Sequence, residues 1–155
     1  SQELQKLRVA FIEQPLPPER DSDFTSSDSV LPVLADESCV TEDDVDRVAA
    51  RFAGFNIKLV KCGGITPGLR MAHLGHTLGA KLMVGCMLES SALIAAGAVV
   101  AQRADYADLD GAWLLADDVF SGLRFDHGVL IPDPSLPGLG IKPAAGLFES
   151  SGSVQ

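Results

Sequence analysis

The stretch that begins at Phe11 contains three short apolar runs, FIEQP (residues 11–15), VLADES (33–38) and FNIKLVKCGG (55–64). Glu13, Asp36 and Lys58 stand at or near the end of the aliphatic part of each run. Short apolar runs of this kind are typical of buried parallel strands. We therefore expect the three charged side chains to lie where parallel strands emerge at their C-terminal ends, on the active face of a β/α barrel.

The three charged groups also indicate a chemistry. Two carboxylates and an ammonium in one half-buried cleft favour a further positive charge, and hard carboxylate oxygens suit Mg²⁺. A divalent cation stabilises an enolate oxygen. A lysine whose pKa is lowered by that cation can take a proton from a carbon next to a carboxylate.

A succession of motifs carries a family resemblance. In order along the chain these are FIEQPLP (11–17), LADES (34–38), NIKLVKCGGIT (56–66), MVGCMLES (83–90) and DLDG (108–111). From about Val9 to about Ile141 the sequence resembles the C-terminal part of the enolase superfamily, in its muconate-lactonising subgroup. It is most similar to the dipeptide epimerases of the L-Ala-D/L-Glu epimerase type.

The resemblance implies an α/β fold that is only part of a barrel. A complete eight-stranded β/α barrel takes about 250 residues, whereas this chain has 155. We expect residues 1–141 to form about five strands of a (β/α)7β TIM-type barrel with its closing C-terminal segment. The N-terminal capping domain and the first strands are expected to be absent, and residues 142–155, which have little to bury, to form a disordered tail.

The resemblance also implies roles for individual residues. Glu13 and Asp36 would bind Mg²⁺, and Lys58 would be the catalytic acid/base. Strand side chains alternate, so Lys58 and Lys61 are predicted to point to opposite faces, and only one of them can line the barrel interior. Glu37 and Lys61 are then expected to orient the residues that bind the metal and the substrate.

Substrate-binding residues are predicted from two further motifs. Asp108 and Asp110 form an Asp-x-Asp pair that is predicted to lie on a strand, so that both face the same side. The resemblance implies that this pair, like the matching pair in dipeptide epimerases, holds the free α-amino group of the substrate. The alternative is a solvated strand edge. Cys86, Met87 and Leu88 follow the seventh-strand equivalent, where the family lines its specificity pocket; the alternative is that Met87 and Leu88 are core residues.

The function implied is Mg²⁺-dependent epimerisation of the α-carbon of a dipeptide through an enediolate. The first metal-binding aspartate and the second lysine would lie N-terminal to Ser1, so this chain alone is expected to be an incomplete isomerase. Alternatives are another enzyme of the subgroup, namely a cycloisomerase, an N-acylamino acid racemase or an o-succinylbenzoate synthase. A different class of alternative is a catalytically silent half-barrel that serves in assembly or binding.

The composition of the chain excludes several classes of binding partner. A net charge of −9 argues against nucleic acid and anionic membranes. No apolar run approaches the roughly 18 residues of a membrane span. Three scattered cysteines are typical of reduced thiols in a cytoplasmic protein. The expected partners are a dipeptide, the missing N-terminal half or another chain, and in a homo-oligomer a second copy that covers the exposed sheet edges.

Overall fold

The computed structural model describes residues 1–146. Helices and strands alternate along most of this part. The helices are α1 (Gln2–Lys6), α2 (Val45–Ala49), α3 (Leu59–Cys62), α4 (Ile65–Thr77) and α5 (Ser91–Ala101). The strands are β1 (Ile12–Glu13), β2 (Val33–Ala35), β3 (Gly54–Lys58), β4 (Lys81–Gly85), β5 (Tyr106–Ala107), β6 (Phe120–Ser121), β7 (Leu123–Asp126), β8 (Val129–Pro132) and β9 (Lys142–Pro143).

The first five strands form one parallel sheet in the order β1-β2-β3-β4-β5. Each strand pairs with its neighbour in sequence, as the βαβ pattern predicts. The central pair β3 and β4 is in register over five residues, from Gly54 opposite Lys81 to Lys58 opposite Gly85. The prediction of a parallel five-stranded part of a β/α barrel is confirmed.

Alternate residues of the strands face two different environments. One face packs against α2, α4 and α5 and contributes to the main core through Val33, Ala35, Phe55, Ile57, Leu82 and Val84. The residues between them point to the other, inner face, because successive strand side chains alternate. Leu34, Asn56 and Met83 are buried there. By the same alternation Glu13, Asp36 and Lys58 belong to the inner face.

The sheet is strongly curled. Phe11 precedes β1, Tyr106 begins β5, and their ring centroids lie 4.6 Å apart. In a flat sheet, strands at these two edges would be separated by about 19 Å, four intervals of roughly 4.8 Å. The contact therefore requires the curvature of a barrel wall, with the two rings meeting inside it.

The C-terminal segment adds small antiparallel pairs. β7 and β8 form a hairpin around Asp126 and Val129, while β6 pairs with β9. The segment from Lys142, expected to be a disordered tail, thus begins with a paired strand, and residues 147–155 lie outside the described part. In residues 1–146 no helix has the length and apolar character needed to cross a membrane. All three cysteines are free thiols.

The close approach of β3 and β4 makes Gly54 a sensitive position. A Cβ atom on Gly54 would meet the carbonyl oxygen of Lys81, which is backbone and cannot move aside. We expect Gly54→Ala to destabilise the fold by about 1–3 kcal/mol, measured as a fall in the thermal unfolding midpoint. Gly68→Ala is the control: its Cβ would meet only the flexible end of Leu59 and the side chain of Val100, and alanine favours helix. An equal loss in both variants would contradict this argument.

Candidate active site

A buried ion cluster lies at the C-terminal end of β2 and β3. Asp36 directly follows β2 and is only 5% exposed. Its Oδ2 atom accepts a hydrogen bond from Lys58 Nζ at 2.6 Å, and its Oδ1 atom accepts one from Lys61 Nζ at 2.7 Å. Both lysine side chains are largely withdrawn from solvent, with 11% and 21% exposed.

The expectation that Lys58 and Lys61 point to opposite faces is wrong. β3 ends at Lys58, and the one-turn helix α3 begins at the next residue. Residues three apart at a helical turn lie on the same side, so strand alternation no longer applies. Gly63, with a φ of 95°, ends the helix. One carboxylate therefore holds both ammonium groups.

The pKa of Asp36 is lowered, because the hydrogen bonds and charges of Lys58 and Lys61 outweigh the raising effect of burial. The pKa of Lys58 is raised. Burial acts to lower it, but the hydrogen bond and charge of Asp36, together with the charges of Glu13 and Glu37, act more strongly in the other direction. The sequence predicts a lowered pKa for this lysine when a cation lies beside it; the carboxylates of Asp36, Glu13 and Glu37 act in the opposite direction and favour its charged form.

Glu13 enters the same region from the neighbouring strand. It is the last residue of β1, is exposed, and its Oε1 atom accepts a hydrogen bond from Asn56 Nδ2 at 2.7 Å. Asn56 lies on β3 and is 1% exposed. Gly85 leaves room for this amide, since a Cβ there would lie 2.5 Å from Asn56 Nδ2. Asn56 thus links the end of β1 to the middle of β3 on the inner face of the sheet.

The donor set fits a hard divalent cation. Glu13 and Asp36 lie on the inner face at the ends of adjacent strands, and Mg²⁺ is often held by one or two carboxylates with water or substrate oxygens completing its shell. The Oδ1 atom of Asn56 is buried without a hydrogen-bond partner in the described part of the chain. Such an orphaned acceptor beside Glu13 is suited to a water molecule of the kind that accompanies Mg²⁺. Residues 1–146 contain no group of three His, Cys, Asp or Glu residues placed to hold a metal by themselves.

The segment after β4 also borders the cluster. Met87 is half exposed, and its Sδ atom lies 3.9 Å from Lys58 Nζ. Leu88 is 65% exposed and is not a core residue. Cys86 is partly buried next to Gly111, and burial raises the pKa of its thiol. Of the three residues predicted to line a specificity pocket, Met87 is the one that approaches Lys58.

Asp108 and Asp110 do not lie on a strand, which corrects the premise of their prediction. β5 ends at Ala107, and Asp110 is the first residue before a 3-10 helix at Gly111–Leu114. Leu109 between them packs against the core. Both aspartates are exposed and border a cavity of about 630 Å³. Because both side chains are exposed, they are accessible to a ligand from solvent.

Comparison with known proteins identifies the family. A model of the family described as Enolase C-terminal domain-like matches residues 1–146. This chain belongs to that family. The resemblance to the enolase superfamily and its dipeptide epimerases, predicted from the motifs, is confirmed.

Individual members of the family show the same relationship. An L-Ala-D/L-amino acid epimerase from Maribacter sp. is 45% identical over 144 residues, which cover 90% of this chain and 42% of the relative. The solved structure of a dipeptide epimerase from Methylococcus capsulatus complexed with Mg ion is 38% identical with a TM-score of 0.80, covering 91% of this chain and 43% of that one. An N-succinyl Arg/Lys racemase from Bacillus cereus is 29% identical with a TM-score of 0.82, covering 92% and 40%. The chain therefore spans about two fifths of the length of these relatives.

Proposed function

We propose that these residues supply the C-terminal part of a Mg²⁺-dependent isomerase that epimerises the α-carbon of a dipeptide. The observation that carries the proposal is the pairing of Asp36 with Lys58 at the strand ends, beside Glu13 on the next strand. The relatives named as dipeptide epimerases support the choice of substrate class.

Each described residue has a part in this proposal. Glu13 and Asp36 hold Mg²⁺, which when bound stabilises the negative charge that develops on the substrate carboxylate. Lys58 exchanges a proton with the α-carbon on one face, so that an enediolate forms and is reprotonated. A group outside these 155 residues serves the opposite face. Lys61 orients the Asp36 carboxylate through its hydrogen bond, and the negative charge of Glu37 stabilises the charged form of Lys58.

Substrate selection is assigned to Asp108 and Asp110, which would bind the free α-amino group of a dipeptide. We expect Asp108→Asn to lower kcat/KM for dipeptides about 10- to 100-fold, since a hydrogen bond to a charged group contributes roughly 1.5–3 kcal/mol. Mg²⁺ affinity should stay unchanged. Asp117→Asn, an exposed aspartate of the following segment, is the matched control. Full dipeptide activity in both Asp108→Asn and Asp110→Asn would rule out the ammonium role.

A second candidate is racemisation of N-acylated amino acids, favoured by the structural similarity to the N-succinyl Arg/Lys racemase. Such substrates have no free α-amino group, so the two exposed aspartates would have no role. Activity assays with a dipeptide library and with N-acyl amino acids separate the two candidates. Mg²⁺ titration and mass spectrometry of the 155-residue chain test the other alternative: a stable oligomer that binds no metal favours a silent half-barrel.

A further inference from the structure

Gln14 has an unusual backbone conformation for its position. It follows Glu13 directly and has a φ of 34°, in the left-handed region that L-residues with a side chain rarely adopt. Its N–H still donates to the carbonyl oxygen of Leu34 at 2.9 Å, which continues the β1–β2 ladder past the end of β1. Strain of this kind persists only where the surrounding contacts impose it.

The side-chain amide of Gln14 supplies those contacts. Its Oε1 atom accepts hydrogen bonds from the backbone N–H groups of Asp36 at 2.8 Å and Ser38 at 3.3 Å. Its Nε2 atom donates to the carbonyl oxygen of Leu16 at 2.7 Å and to Ser38 Oγ at 3.0 Å. Two donations and two acceptances use the full capacity of a primary amide.

The turn at residues 36–38, which the Gln14 amide binds, also makes hydrogen bonds on its opposite side. Ser38 Oγ donates to Asp21 Oδ1 at 2.8 Å, and the carbonyl oxygen of Ser38 accepts from Arg47 at 2.7 Å. Asp21 is 7% exposed and also pairs with Arg47. The turn after β2 is therefore fixed between this buried network and the amide of Gln14.

We propose that Gln14 is a positioning residue that sets the separation of the Glu13 and Asp36 carboxylates, so that both bind one divalent cation. It is adjacent to one carboxylate in sequence and bonded to the main chain of the other. The proposal rests on the function proposed above, because it assigns Glu13 and Asp36 to a cation. The amide of Gln14 is fully occupied by protein partners, so the proposal gives it no contact with the cation or the substrate.

The test is Mg²⁺ binding by titration calorimetry on the protein that carries these residues, followed by steady-state kinetics. Gln14→Leu keeps the approximate shape of the side chain and removes all four hydrogen bonds. We expect Mg²⁺ affinity to fall about tenfold or more. In kinetics measured at saturating Mg²⁺, kcat should fall by a larger factor than the factor by which KM changes. Gln5→Leu, at an exposed glutamine of α1, should change neither quantity.

A second pair of variants protects the test against a simple folding defect. Gln14→Gly removes the amide and relieves the positive φ, whereas Gln14→Ala removes the amide and keeps it. Gln14→Gly should be the more stable of the two, yet both should lose Mg²⁺ affinity equally. A folded Gln14→Gly variant with unchanged Mg²⁺ affinity would overturn the positioning role alone. Failure of the unsubstituted protein to bind any divalent cation would overturn the proposed function and this inference together.

Discussion

Lys58→Met is expected to lower kcat for epimerisation by about 10³-fold or more, at the upper end of what general acid–base groups contribute. Lys58 is the last residue of β3, and its Nζ atom lies between Asp36 and Met87. Methionine keeps the unbranched shape but cannot carry a proton. Rates in both directions, together with α-proton exchange in D₂O followed by NMR, measure the effect. Exchange should persist from one epimer only, through the group on the opposite face.

Two further variants decide whether the proton belongs to Lys58. Lys81 is the first residue of β4, at the opposite end of the strands from Lys58, and its exposed side chain pairs with Asp105. Lys81→Met should therefore leave the rates unchanged. Lys61→Met should leave most of the proton exchange intact, because Lys61 is assigned to holding the Asp36 carboxylate and not to proton transfer. If Lys58→Met remains active while Lys61→Met abolishes exchange, the acid/base is Lys61.

Asp36→Asn is expected to have the second large effect, on both metal binding and stability. Removing the carboxylate charge leaves two largely buried ammonium groups without their partner, which typically costs about 3–5 kcal/mol. Mg²⁺ affinity should fall by more than about 100-fold, because changes to residues that only support metal ligands already cost 10- to 100-fold. Calorimetric titration and denaturant unfolding measure the two effects.

The control for this variant is Glu42→Gln, which breaks an exposed ion pair with Arg70. Exposed pairs contribute about 0–1 kcal/mol, so Glu42→Gln should unfold close to the unsubstituted protein and bind Mg²⁺ equally well. An Asp36→Asn variant that binds Mg²⁺ normally would remove Asp36 from the metal site.

Asp36→Asn should also change how the stability of the protein depends on pH. The folded pKa of Asp36 lies below its unfolded value of about 4. Its contribution to stability is therefore present above the unfolded pKa and is lost as the pH falls through the folded pKa. Asp36→Asn lacks this contribution, so its stability should fall less steeply than that of the unsubstituted protein over that acidic window.

The sequence predicted the sheet well because its signals are local. Each apolar run ends in a charged residue, and the parallel connection of the strands then follows from the order of the elements. Glu13, Asp36 and Lys58 accordingly emerge at the same edge of the sheet.

The errors occurred where a periodicity changes within a motif. The predicted orientation of Lys61 rests on strand alternation, but β3 ends at Lys58 and a helix begins at the next residue. The sequence places Asp108 and Asp110 on a strand, whereas β5 ends at Ala107. Strand ends are set by where the partner strand and the following turn permit hydrogen bonds, and these are not local properties of the sequence.

The supporting amides were missed for a different reason. Asn56 bonds a residue that lies 43 positions away in the sequence, and Gln14 bonds residues that lie 22 and 24 positions away. No spacing rule connects partners this far apart. A usable signal was present in each case: a polar residue inside the apolar run FNIKLV, and a glutamine between a strand-end acid and a proline. Buried polar residues require hydrogen-bond partners, so both positions indicated a hydrogen bond to a distant part of the chain.

The pairing lengths within the sheet set how firmly each part of the site is held. β3 and β4 pair over five residues, whereas β1 and β2 pair over two, and β1 has no second neighbour within residues 1–146. Local opening is easiest where few backbone bonds must break. Amide exchange should accordingly be slower around Lys58 than around Glu13, so the lysine lies in the most firmly paired part of the sheet and the glutamate lies at its less firmly paired edge.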